Sequence, residues 1–588
     1  MRNKKVIIPI IALLAVAVIG FITYILLKDA GIIDSGETST IQTISVQYES
    51  STYNISNATR ITGDNGNISI NGNGAVANGA NLTVSANGTY VLTGNFTGQI
   101  TVSAAKQTVT LVLDNANITN KSGTAIYVQE AKKIFIASTE GSTNKIIDGE
   151  GYSTNYGEED VDAAIYSKDD LIFIGDGIIE IDGNYSHGIH GKDFVQVLSG
   201  TLDIFSTNDS IVAKDYFAMK DGTVIIDSAS DGIKSTEDSD ASLGYIVVDG
   251  GKLNITATGD AINSISRISI TDGDFNITTG GGAGNTSTTY NEWGRWQSSS
   301  SNDTSTSAKG LKAEKYIIIA NGTFNFDTSD DAIHSNASIV INDSNITIKT
   351  GDDAIHGDTA ITINNGNIDI AQSHEGIESS TITINNGNIS IVDDDDGLNA
   401  SGGNDGSSTN GRPGQNNFSN SKGAIYINGG TLTINSRGDG IDSNGSIEMT
   451  GGYVTVDGPT DNGNGALDYD GSFKISGGTL IAAGSSGMLQ APSSDSTQNI
   501  ISIVFSGSQS ANSTFTLKDS SDKTIVDFTP SKSYASIVIS TPSISQGESY
   551  TASVNSQTIT TLTVNDIITS YGTGGGMQGG GMRGGGRR

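Results

Sequence analysis

Four short units decide the reading of this chain: Asp331-Ala332-Ile333-His334, Asp353-Ala354-Ile355-His356, Glu375-Gly376-Ile377-Glu378 and Asp396-Gly397-Leu398-Asn399. They return at intervals of 22, 22 and 21 residues. Between them lie two alternating pieces, Ile361-Thr362-Ile363 and Ile368-Asp369-Ile370, joined by Asn364-Asn365-Gly366-Asn367, and the next period repeats the pattern at Ile382-Thr383-Ile384 and Ile389-Ser390-Ile391. Apolar–polar alternation marks half-buried strands. An Asn-Gly pair between two strands is also a hairpin signal. A hairpin does not explain the return of the whole unit, however, whereas three strands and three corners make one coil of a solenoid. The expected fold is therefore all-β, a right-handed parallel β-helix of about 22 residues per coil.

Weaker copies extend the pattern in both directions. They are Ala163-Ala164-Ile165-Tyr166, His187-Gly188-Ile189-His190, Asp231-Gly232-Ile233-Lys234, Asp260-Ala261-Ile262-Asn263, Lys309-Gly310-Leu311-Lys312 and Asp439-Gly440-Ile441-Asp442. The coils are expected over residues 58–491, after a polar linker at 31–57. Two insertions interrupt them, one at 279–307 and one at 401–421. Residues 492–571 read as ordinary alternating strands, a small all-β cap over the open solenoid end. The Gly, Met and Arg tail at 572–588 cannot form a core.

Composition agrees with a thin, repetitive core. Of 588 residues, 75 are glycine, and aromatic residues make up only 6%. Cysteine is absent, which excludes disulfides and thiolate chemistry. The net charge of −32 disfavours nucleic acid and anionic lipid as partners and favours cations or neutral ligands. At the start of the chain, Arg2, Lys4 and Lys5 precede an uncharged apolar run at residues 6–27. That run is long enough to span a bilayer as a helix, with the body outside. A cleaved signal peptide is the rival, since Ala15-Val16-Ala17 resembles a cleavage site. Both readings place the body outside the cell, tethered or secreted.

Stacked coils would align the acids. Neighbouring strands lie roughly 4.8 Å apart. Asp331, Asp353, Glu375, Asp396 and Asp439 then form one rail, and Asp330, Asp352 and Asp395 a second. Two bare charges at that spacing repel by about 3.5 kcal/mol at an effective dielectric of 20. A hard divalent cation relieves this, and clustered carboxylates are calcium ligands, so Ca2+ is the expected cofactor. The alternative is that the side chains splay into solvent.

The fourth residue of each unit is expected to point outward, because the Ile before it points inward. Lys312, His334 and His356 would then line a polar stripe able to hydrogen-bond sugar hydroxyls, or simply a solvated face. Tyr290, Trp293 and Trp296 stand in the first insertion, where flat rings either stack on sugars or pin the loop. The repeated Asn364, Asn365, Asn385 and Asn386 read as a structural corner ladder. No nucleophile–base pair stands out, the five histidines make no zinc motif, and phosphate loops are absent.

The block from Leu111-Val112-Leu113-Asp114 through Ala125-Ile126-Tyr127-Val128, together with the Asp-Gly-Ile and Asp-Ala-Ile units, resembles a known family. These are bacterial, largely clostridial, carbohydrate-binding proteins with a polysaccharide-lyase-like parallel β-helix. The resemblance covers about residues 60–570 and implies calcium held in the β-helix and binding of cellulose and polygalacturonate rather than cleavage. The Asp pairs match the family's acidic corners, with Glu375 and Asp439 as departures. The expected partner is therefore a plant cell-wall polysaccharide, bound by a monomer without catalytic residues. A calcium-dependent pectate-type lyase is the alternative, with Lys234, Lys309, Lys312 or Arg437 as base. A structural surface adhesin is the third reading.

Overall fold

In the computed structural model, which describes residues 43–157, 159–285, 307–400 and 423–572, each repeat contributes three short strands. One coil runs through Ile333–Ser335, Ser338–Ile341 and Asn345–Thr350. The next runs through Ile355–Gly357, Ala360–Ile363 and Asn367–Gln372. Every strand pairs in parallel with its counterpart one repeat later. Ile333 stands beside Ile355 and Ile355 beside Ile377; Ile339 beside Ile361; Ile346 beside Ile368. The Asn-Gly corners therefore turn the coil and do not close hairpins. The chain is all-β with long parallel sheets, the arrangement of a stacked-coil solenoid.

Period-2 alternation explains the core. In Asn345–Thr350 every second residue is buried and the others are exposed. Stacking turns each inward Ile into one rung of an aliphatic column, as with Ile339, Ile361 and Ile382, all fully buried. At the corners, Gly366 and Gly387 adopt φ of 125° and 113°, which disfavours any side chain. A Cβ on Gly366 would also lie 2.7 Å from the Ser344 carbonyl oxygen. The Asn residues beside them form the expected ladder: Asn364 Nδ2 donates to Asn342 Oδ1 (2.8 Å), and Asn385 Nδ2 to Asn364 Oδ1 (2.8 Å).

Antiparallel pairs finish both ends. Thr59–Asp64 pairs with Asn67–Asn71, and Ala75–Asn78 with Asn81–Val84. At the other end, Thr479–Gly484 pairs antiparallel with Tyr534–Ser540, which also pairs with Ile500–Gln509. A further antiparallel sheet of Phe515–Asp519, Thr524–Phe528, Ser549–Val554 and Gln557–Thr563 has its own apolar cluster around Phe515, Leu517 and Tyr550.

Residues 43–57 differ from a free linker. They lie extended against the outside of the sheet, where Tyr48 and Tyr53 pack on Val91, Val112, Phe135 and Ile172. The Ile44 amide donates to Ser269 Oγ (3.1 Å), and Lys133 Nζ meets Glu49 Oε1 at 2.5 Å. The polar composition of the segment hid these few anchors. Among the described residues no helix is long and apolar enough to cross a membrane; the run at residues 6–27 lies outside them.

Candidate functional site: a double polar rail

The unit repeat places two residues of every coil on one edge of the solenoid. The first row is His187, Asp209, Asp231, Asp260, Lys309, Asp331, Asp353, Glu375, Asp396 and Asp439. The second, three residues on, is His190, Val212, Lys234, Asn263, Lys312, His334, His356, Glu378, Asn399, Asp442 and Asp468. The first-row side chains have a backbone role that the sequence did not disclose. The Asp260 amide donates to Asp231 Oδ1 (2.9 Å), and the Lys309 amide to Asp260 Oδ1 (2.8 Å). The Asp353 amide likewise donates to Asp331 Oδ1 (3.1 Å), and the Asp439 amide to Asp396 Oδ1 (2.6 Å). Each carboxylate thus caps a corner N–H of the next coil that strand pairing leaves over.

The second carboxylate oxygen is bound by the second row. Lys234 Nζ lies 2.9 Å from Asp231 Oδ2, Asn263 Nδ2 is 3.0 Å from Asp260 Oδ2, and Lys312 Nζ is 3.3 Å from the same atom. His334 Nδ1 is 2.7 Å from Asp331 Oδ2, and His356 Nδ1 is 3.1 Å from Asp353 Oδ2 and 2.9 Å from Glu378 Oε2. Lys309 stands in the first row, where an acid is usual, with Nζ 2.7 Å from Asp330 Oδ1 and 2.6 Å from Asp331 Oδ2. Burial would raise the Asp331 pKa, but the Lys309 ammonium and the His334 hydrogen bond override it and hold the carboxyl well below the usual range. The counter-charge for Asp330 and Asp331 is therefore the protein's own lysine.

One expectation changes here. His334 and His356 do not form an accessible stripe: they are 1% and 0% exposed, stacked with ring centroids 4.9 Å apart. Strand spacing places each imidazole directly on the next, and the acid three residues back holds its edge, so solvent is squeezed out. Ala332 is likewise buried in the core, because it sits in the corner before the three-residue strand, where alternation does not apply. Lys312 stays partly accessible, its side chain 22% exposed, but is bound to Asp260 and to Ser307 Oγ (3.1 Å). Tyr290, Trp293 and Trp296 lie outside the described residues.

From Glu375 onward the partners change sign. Glu378, Asn399, Asp442 and Asp468 occupy the second row, facing Glu375, Asp396 and Asp439. Burial and then neighbouring carboxylates push Glu375 and Asp396 well above the carboxylate range. The same causes raise Asp439 and Asp442 to about 7. Asn399 donates to Glu375 Oε2 (2.8 Å), yet its own Oδ1 is buried with no hydrogen-bond partner among the described residues. The parallel row of Asp330, Asp352 and Asp395 has His374 in its third place, 3.7 Å from Asp395 Oδ2. Carboxylates and an orphaned amide oxygen are the donor chemistry that calcium takes.

Residues 78–354 match the family model described as "Carbohydrate-binding domain-containing protein". The resemblance carried by the sequence is to this family. A carbohydrate-binding domain-containing protein of Acetivibrio thermocellus is 32% identical over 120 residues, 20% of this chain and 42% of that protein. The chain thus spans about two fifths of the length of the curated relative it matches. A solved structure of the polysaccharide lyase-like protein from C. thermocellum, a gadolinium derivative, is 28% identical, covers 38% of this chain and 92% of that one, and has a TM-score of 0.37.

Proposed function

We propose that this protein is an extracellular, calcium-containing module that binds plant cell-wall polysaccharide, polygalacturonate or cellulose, without cleaving it. On this reading the solenoid at residues 58–491 is a right-handed parallel β-helix, capped by 492–571 and held at the cell surface, as a monomer, through the apolar run at 6–27. The observation that carries the calcium assignment is the run of Glu375, Asp396, Asp439 and Asp442, which have no Lys, Arg or His ion pair among the described residues, in the same rows as the orphaned Asn399 oxygen. Asp395, with His374 3.7 Å away, supplies a further carboxylate in the neighbouring row, whereas Asp330 and Asp331 face Lys309 and Asp353 faces His356; Asp352 keeps its proposed role as a ligand. Calcium bound among acids leaves outward coordination positions that a uronate carboxylate can take. Tyr290, Trp293 and Trp296 keep a proposed role in stacking on sugar rings, and Lys312 one in hydrogen-bonding them. His334 and His356 lose that role by burial.

The family match supports binding, and the state of the lysines argues against the lyase alternative. A lyase needs a free base beside the metal. Lys234 and Lys312 are tied to carboxylates, Lys309 is buried between two, and Arg437 pairs with Asp394 at 3.3 Å. The test is retention of the full chain on polygalacturonate and on cellulose, in calcium and in chelator, while following the absorbance of unsaturated product. Calcium-dependent retention without absorbance is expected. Growing absorbance would make the protein a lyase, and no retention on either glycan would favour a structural adhesin.

A further inference from the structure

The near end of the double rail, far from the acid run, brings together residues that the sequence left scattered. His187 and His190 open the two rows, and Asp162 reaches them from the preceding coil. His190 Nδ1 lies 2.6 Å from Asp162 Oδ1, and His187 Nε2 lies 3.5 Å from Asp162 Oδ2. The two imidazoles stand nearly perpendicular, at 80°, with centroids 5.6 Å apart. One donor atom from each of the three residues falls within 4.8 Å of the others. No lysine or arginine among the described residues pairs with Asp162. This sets the group apart from Asp331, His334 and His356, where the Lys309 ammonium already fills the cation's place.

We propose that Asp162, His187 and His190 form a binding site for a zinc-class transition-metal ion. Two imidazole nitrogens and a carboxylate oxygen are the donors such ions select, whereas calcium takes oxygen. In a tetrahedral site with bonds of roughly 2.0–2.1 Å, donor atoms stand about 3.4 Å apart. The two contacts go to different oxygens of Asp162, His187 Nε2 to Oδ2 at 3.5 Å and His190 Nδ1 to Oδ1 at 2.6 Å, so a turn of the carboxylate and an opening of less than about 1 Å would bring the donors to this spacing.

The second observation is the far side of the His187 ring. Its Nδ1 lies 3.1 Å from the Asp209 carbonyl oxygen, a bond that places a proton on Nδ1 and leaves Nε2 as the ring atom that faces Asp162. A backbone carbonyl or carboxylate behind a ligating imidazole is the usual means of fixing its tautomer and orientation. The Asp209 carboxylate, 3.8 Å from the same nitrogen, reinforces it. The Tyr166 ring packs edge-on against His190, with centroids 5.1 Å apart. The side chains of His187, His190 and Asp162 are 10%, 13% and 20% exposed. The site is held but reachable, with a fourth position left for water or an oxygen ligand.

The proposal is independent of the calcium reading, and the test separates them. The full chain, stripped with chelator and equilibrated with zinc chloride in excess calcium, is expected to retain one zinc ion. His187→Asn and His190→Asn should each weaken zinc binding by roughly 100-fold, since even outer partners cost 10- to 100-fold. Calcium-dependent glycan retention should be unchanged. A second measurement needs no variant: zinc should block carbethoxylation of His187 and His190, mapped by peptide mass, and leave His374 labelled. No zinc uptake, undiminished uptake by either variant, or labelling of His187 and His190 indifferent to zinc would each overturn the site.

Discussion

Two stretches of the same rail, built on the same unit, treat charge in opposite ways. Between Asp209 and His356 the second row supplies Lys234, Asn263, Lys312, His334 and His356, and the first row inserts Lys309. From Glu375 to Asp468 it supplies Glu378, Asn399, Asp442 and Asp468. The backbone and spacing are the same, so the difference lies in side-chain chemistry alone. In one stretch lysines stand against Asp231, Asp260, Asp330 and Asp331. The other has acids stacked on acids, and for these a cation from solution is the natural complement.

The largest effect is expected where the protein's own cation is removed. Lys309→Met leaves buried Asp331 facing Asp330 with His334 as its remaining side-chain partner, and breaking a buried pair costs about 3–5 kcal/mol. Because each coil contacts only its neighbours, the loss should concentrate near coils 309–353, read by hydrogen exchange resolved along the chain. Uniform loss of protection would mean that the solenoid unfolds as one unit.

The mirror experiment removes the cation from the other stretch. Calcium at 100 times its dissociation constant should stabilise the fold by about 2.7 kcal/mol, with the added protection concentrated over residues 375–470. Asp439→Asn should abolish most of that gain while raising stability in chelator, because it removes a repelling charge. A calcium effect centred on Asp331 instead would erase the distinction between the stretches.

How much of this was legible follows from particular residues. The 22-residue return fixes the coil, the parallel register and the Ile columns, because a repeat can bury its face only on its own copy. The rail itself was legible too, since Lys309-Gly310-Leu311-Lys312 aligns with the Asp units. Its partner was not: the sequence offers Lys309 as a base, and only the packing shows it closed between Asp330 and Asp331. Burial of His334 and His356 was hidden because alternation predicts direction and not what covers a side chain. Asp162 stands outside any unit, 25 and 28 residues before the histidines it meets. The histidine spacing alone therefore gave no metal signal, although His187-Gly188-Ile189-His190 in the place of Asp-Ala-Ile-His was a visible hint.

pH should move Asp331 and the acids after 375 in opposite directions, whereas buried Asp353 is raised as the later acids are. Asp439 and Asp442, raised to about 7 by burial and by neighbouring acids, hold protons that the unfolded chain gives up above about 4. In calcium-free buffer these coils should therefore lose stability as pH rises from about 4 to about 7, then level off. Asp393, raised to about 8 chiefly by burial, extends the window upward. Asp331 is held low, so its stabilisation is present above about 4 and is lost as pH falls through its folded value. Acidification in chelator, followed by hydrogen exchange, should tighten the stretch after 375 and loosen that around 331. The same sign in both would show that the rails are solvated and the pairing is unimportant.

The smallest expected effect tests whether charge is the true difference. The corner amides run through both stretches without charge: Asn364 on Asn342, Asn385 on Asn364 and Asn428 on Asn385 at 2.9 Å, with the Thr450 hydroxyl then donating to Asn428 Oδ1 at 2.9 Å. Asn385→Ala removes two such bonds at an exposed corner where water competes, so the loss should be about 1 kcal/mol. Asn364→Ala, on the other side of the boundary between the stretches, should cost about the same. Neither should respond to calcium or to pH between 4 and 8, because the ladder carries no charge. Equal, calcium-blind losses, measured by denaturant midpoint, would leave the sign of the second row as the variable that separates the stretches. A calcium-dependent loss at Asn385 alone would mean instead that the whole coil stiffens around the ion, and that its influence extends from the acid edge to the opposite corner.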